Sequence, residues 1–194
     1  MDAKLLQKVY VSLLYSDNYR MLGAEEEYQF LNKTMDSERL KIERAARRRN
    51  LRTVLYSDMH FAPRFFTKEE FLDLVIKYCE SDSFWNWNSR TLVESFCYFV
   101  FHHSALSDEK KFIFMLDGIY SGISTGLENS PWHSSVSKRQ ANALTEEIGS
   151  DWYLPLANLN NVSNLDGLGF VNKPTCVRFH NENGKVALSC REAA

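Results

Sequence analysis

Proline and glycine are scarce in this chain, 4 and 8 of 194 residues, and cysteine occurs four times. So few backbone breakers exclude a low-complexity or collagen-like chain, and 44% apolar residues supply enough side chain for a buried core. Cys79, Cys97, Cys176 and Cys190 form no CxxC pair. Their spacing excludes a zinc ribbon, and a disulfide framework is not expected in a cytoplasmic chain of this length. The longest unbroken apolar run, residues 96–101, falls far short of the ~20 residues of a bilayer-crossing helix. Met1-Asp2-Ala3-Lys4 has none of the features of a secretory signal, so the sequence predicts a cytoplasmic protein. An excess of charge is lacking too. With 23 Lys plus Arg against 25 Asp plus Glu, the net charge of −2 argues against a dedicated nucleic-acid or membrane-surface protein.

What is present reads as helix over the first two-thirds. Leu5, Leu6, Val9, Tyr10, Leu13 and Leu14 lie on one wide stripe of 3.6-residue period. After Gly23 the acids Glu25, Glu26 and Glu27 suit the first turn of a second helix. Asp36 or Ser37 can cap a third, running to about Leu55 through a heavily basic middle. Thr67 and Glu70 form the capping-box pattern ahead of Phe71, Leu72, Leu74, Val75 and Tyr78. Residues 88–103 and 108–121 complete the helical set, the last starting after Ser107.

Beyond Gly126 the texture changes to short apolar pieces between Asn, Ser, Gly and Pro. A helical body over residues 1–126 and a mixed region over 127–194 follow, an α+β protein with a small C-terminal antiparallel sheet. Residues 137–148 read as a last helix, and 152–156, 169–171, 176–180 and 185–190 as strands. The pair Asn183-Gly184 predicts a two-residue turn that closes a terminal hairpin at 176–190. That register sets Glu182 opposite Lys185, Phe179 opposite Leu188 and Val177 opposite Cys190. Cys176 then faces Arg191, on the other side of the sheet from Cys190, so no disulfide joins them.

Chemistry is harder to find. His102 and His103 are adjacent and point about 100° apart on a helix, which unfits them as a pair of ligands to one ion. His60, His133 and His180 share no metal-binding spacing, and no GxSxG elbow activates a nucleophile. Cys79 and Cys97 sit on apolar helix faces, as small core residues do. Gly118, Gly122 and Gly126 recur every four residues, the spacing of close helix contact and not of a phosphate loop. Lys41, Arg44, Arg47, Arg48, Arg49 and Arg52 place six cations in twelve residues, either a solvated helix face or a surface for an acidic partner or nucleic acid. Phe84, Trp85 and Trp87 fall in a polar connection, where aromatics anchor interfaces or plug the end of a helical bundle.

The opening helix of residues 5–14 followed by Ser16-Asp17-Asn18-Tyr19-Arg20, the arginine-bearing helix ending near Tyr56, and Phe71-Leu72-Asp73-Leu74-Val75 through Tyr78 resemble the MbnC-like partner subunits of peptide-modifying iron oxidases in methanobactin biosynthesis. The resemblance covers mainly residues 1–100 and the helix-then-strand layout. It implies a heterodimer with an MbnB-like TIM-barrel iron oxidase. In that complex dioxygen is used to convert cysteines of a ribosomally made precursor peptide to oxazolone and thioamide groups, on the way to a copper chelator. The resemblance puts the iron in the partner subunit and none in this chain, which contributes leader-peptide recognition and no catalytic residue. By position, Val171, Thr175, Val177, Arg178, Phe179 and His180 are expected in the peptide-contacting sheet, with Trp85 and Trp87 at the partner interface. Two other classes stay open. An immunity-type or regulatory adaptor would meet an acidic protein through residues 44–52, and a stand-alone enzyme would assemble His102, Asp117 and His133 from distant positions.

Overall fold

A computed structural model describes residues 2–17, 21–86, 91–125, 138–140, 143–153, 166–169, 171–182 and 185–192. Its elements are α1 (Ala3–Leu13), α2 (Glu25–Thr34), α3 (Ser37–Asp58), α4 (Lys68–Cys79), α5 (Asp82–Trp85), α6 (Leu92–His103) and α7 (Asp108–Ser124), then β1 (Lys138–Gln140), β2 (Ala143–Tyr153), β3 (Val171–Glu182) and β4 (Lys185–Glu192). Short 3-10 turns occupy Ala62–Arg64 and Asp166–Leu168. The protein is α+β.

Local chemistry starts these helices. The carboxylate of Asp2 accepts from the N–H of Lys4, and that of Asp36, not Ser37, accepts from the N–H groups of Glu38 and Arg39. At α4 the capping box is complete, with the Thr67 hydroxyl accepting from the N–H of Glu70 and the Glu70 carboxylate accepting from the N–H of Thr67. At α6 the Thr91 hydroxyl accepts from the N–H of Glu94. Each such cap contributes roughly 1 kcal/mol by satisfying an otherwise orphaned donor.

Packing then sorts the helices into two clusters. Val9, Leu13, Ala24 and Leu31 join α1 to α2 in a minor core. The main core runs from Leu55 through α4, α6 and α7 and includes Val177 and Phe179 of β3, so helices and sheet share one interior. In α7, Phe112, Ile113, Phe114, Met115, Leu116 and Ile119 are all buried. This helix is apolar nearly all round because it packs on α6 and on β2, β3 and β4 at once. Gly118 and Gly122 lie buried within it, in keeping with the close helix contact that their spacing suggests.

The sheet is antiparallel in the order β1-β2-β3-β4. Its β3–β4 register pairs Glu182 with Lys185, Phe179 with Leu188, Val177 with Cys190 and Cys176 with Arg191, as the hairpin pattern requires. Between the pairs Ser150↔Thr175 and Trp152↔Asn172, β3 spends one residue more than β2. This bulge falls at Pro174, which has no N–H for a ladder. The helix read over residues 137–148 is overturned, for β1 and most of β2 occupy that segment. The run Ala143-Leu144-Thr145-Glu146-Glu147 has good helix formers, but pairing along the whole of β3 outweighs local propensity. The segment 152–156 is strand to Tyr153, with 154–156 outside the described residues, and Gly169 has φ 65°, so its strand begins at Val171.

Candidate functional site

The six sheet positions separate by face. Val177 and Phe179 are 1% and 0% exposed and belong to the main core, so their side chains are closed to a ligand. Arg178 is exposed and His180 half-buried on the opposite face, while Val171 is 47% exposed at the start of β3. The backbone of Thr175 pairs with both Ser150 and Glu192, and its side chain lies outside the described part. From Thr175 to Glu182 β3 pairs with both β2 and β4, so its main-chain donors and acceptors there are spent in two ladders. Among the described residues, pairing is one-sided along β4, along β1 and, beyond Thr145 where β1 stops, along β2.

Edge strands are ordinarily blunted by charge, proline or a bulge; β4 has charges at its ends, Lys185, Arg191 and Glu192, while its middle, residues 186–190, Val-Ala-Leu-Ser-Cys, contains none of these. Val186, Leu188 and Cys190 lean on the main core, whereas Ala187 and Ser189 are exposed and small. Asn181 fixes the hairpin to the helical body, its side-chain amide donating to the carbonyl of Ile123 at the end of α7 at 2.8 Å. The edge is therefore presented on a rigid support.

Trp85 ends the one-turn helix α5, and its neighbour Phe84 plugs the core, 5.1 Å from the Tyr15 ring and 5.2 Å from that of Tyr78. Trp85 is half-buried beside it. Trp87 lies outside the described residues.

The basic stretch splits in two. Arg44 and Arg48 point inward, 7% and 9% exposed, and their Nε atoms donate to the carbonyls of Leu13 and Tyr15 at 2.8 and 2.7 Å. Arg44 also pairs with Asp17, and Arg48 with Glu80. Glu80 in turn accepts from the Ser16 hydroxyl and, at 2.9 Å, from the N–H of Asp17. Two arginines thus collect the carbonyl that ends α1 and that of Tyr15 just beyond it, and Arg48 ties this segment to Glu80 after α4. On the surface, Lys41 pairs with Glu38 and Arg39 with Glu43, and Arg47 lies over the Tyr15 ring. The stretch is no continuous positive face.

Asp117, 1% exposed, is a backbone clamp. Its carboxylate accepts from the N–H groups of His60, Phe61 and Ala62 at 2.6, 2.9 and 2.7 Å. Burial lifts its pKa to about 6 in spite of those three donors and nearby Arg64. The His60 ring stacks on Tyr120 at 4.8 Å, and burial, with Arg64, lowers its pKa. His102 is exposed at the far end of α6, packed on Tyr98, and His133 lies outside the described residues. Asp117 and His102 are not brought together as a catalytic set. Burial pushes the Cys79 thiol up to about 12 and raises Cys97 well above the ordinary value, which keeps both as thiols at neutral pH. Among the described residues no three His, Cys, Asp or Glu side chains form a metal-binding group.

No protein-family model, no curated protein and no solved structure matches this chain. No helix among the described residues is long and apolar enough to cross a membrane. The sequence put the peptide contacts on β3, which lies inside the sheet, and it missed the inward arginines, whose placement depends on which side of α3 faces α1, which no local pattern encodes.

Proposed function

We propose that this chain is the non-catalytic, peptide-recruiting partner of a dioxygen-dependent iron oxidase that modifies cysteines of a ribosomally made precursor. The observation that carries the reading is the uncharged middle of the β4 edge, residues 186–190, held on the main core beside exposed Arg178 and half-buried His180. An extended leader segment adds to this edge as a further strand. Main-chain hydrogen bonds supply affinity there and alternate side chains supply selectivity. Apolar leader residues meet the flanks of Val186, Leu188 and Cys190, and polar ones pass over Ala187 and Ser189. Iron, and with it the oxygen chemistry, belongs to the partner subunit. Recruitment of a freshly synthesised precursor places the protein in the cytoplasm.

Hydrogen exchange on the chain mixed with any precursor peptide encoded beside its gene tests the docking mode. Amides of β4 are expected to slow on peptide addition while those of α4 and α6 stay unchanged. Unaltered exchange along β4 in the presence of bound peptide would contradict strand addition.

A further inference from the structure

The 11 residues of α1 include no acid, and Lys4, Lys8 and Val11 follow one another at i, i+4 and i+7 on its exposed side. Beside this stripe lies a groove of about 510 Å3 lined by Lys8, Val11, Ser12, Met21, Trp85 and Asn86 among others. One wall is fixed. The Trp85 ring stands edge-on to Phe84 at 4.7 Å and to Tyr15 at 6.4 Å, so its flank requires no ordering when a ligand arrives. Val11 is 39% exposed, and Leu22, next in the chain after Met21, is 98% exposed. A rigid aromatic with aliphatic neighbours and a polar rim has the anatomy of an interface anchor site.

Charge identifies the occupant. Among the described residues no carboxylate pairs with the side chain of Lys4 or Lys8, and the exposed acid Glu25 lines a separate groove beyond Met21. Two lysines one helical turn apart match carboxylates at i and i+4 on a facing helix and repel a basic one. We propose that this groove docks an acidic amphipathic helix of a partner protein. An aliphatic or aromatic anchor enters between Val11, Met21 and Trp85, and carboxylates one turn apart lie over Lys4 and Lys8. The inference is independent of the β4 edge and of the peptide that adds there.

The probe is a labelled synthetic helix with a leucine stripe flanked by glutamates four residues apart, compared by fluorescence anisotropy with its lysine-for-glutamate counterpart. Saturable binding of the acidic peptide below about 100 µM is expected, with the basic peptide at least about tenfold weaker. Lys8→Glu and Val11→Glu, both at exposed positions, should each weaken it about tenfold, while Ile42→Glu on the exposed side of α3 leaves it unchanged. Failure to saturate by about 1 mM, equal binding of the basic peptide, or indifference to both groove variants would overturn the proposal. So would a concentration-dependent dimer abolished by Val11→Glu, since a second copy would then cover the groove.

Discussion

Asp117 shows what one buried acid does for this fold. Two oxygens receive three backbone N–H groups and so hold the chain between α3 and the 3-10 turn at Ala62–Arg64. In Asp117→Asn the amide nitrogen cannot accept, and at least one buried N–H faces another donor. A loss of about 1–3 kcal/mol is expected in urea unfolding at neutral pH. The pH dependence has a definite sign. The folded-state pKa of about 6 lies above the ordinary 3.8, so the folded protein holds this proton more tightly. The associated stability is present below the ordinary value and is lost as pH rises through the folded one. Unfolding free energy measured between about pH 4 and 6 should fall with rising pH by more in the parent than in Asp117→Asn. Equal slopes would show that the acid is already ionised across this range.

Among the elements, the attachment of α1 is the most exposed to a single change. The α1–α2 pair has its own small core and joins the body through Arg44 and Arg48 and through the Tyr15 ring against Phe84. Truncating Arg48→Ala leaves the Tyr15 carbonyl and Glu80 without their guanidinium and should cost about 3 kcal/mol. Amide exchange is expected to accelerate in α1 and α2 before it does in α6 and α7. A uniform acceleration across the chain would mean that the two cores open as one. Much at this scale was legible in sequence. Asp36 and Thr67 cap within three residues, the α1 stripe has a clear period, and the 176–190 hairpin register needs only a two-residue connection and alternation. Residues 137–148 were not legible, since their strand state comes from pairing with β3 some thirty residues away. Nor were the buried arginines, which look identical in composition to the surface ones at 47 and 49. The six residues expected to contact peptide lie on both faces of β3, an inner strand from Thr175 onward, so the proposed docking strand is β4 instead.

Across the whole molecule, the helical body and the sheet share an interior built on α7, so the β4 edge is carried on the same core that buries Phe96 and Phe114. A body of that kind suits the proposed recruiting role, because a strand already held in register would need no ordering when a peptide docks. The most direct measurement is co-expression with whichever iron-oxidase and precursor-peptide genes lie beside its own, followed by affinity purification and metal analysis of the complex and of this chain alone. A stoichiometric complex that contains iron, formed with a chain that by itself binds none, is the expected result. Iron retained by this chain alone, or no complex with either partner, would contradict the assignment.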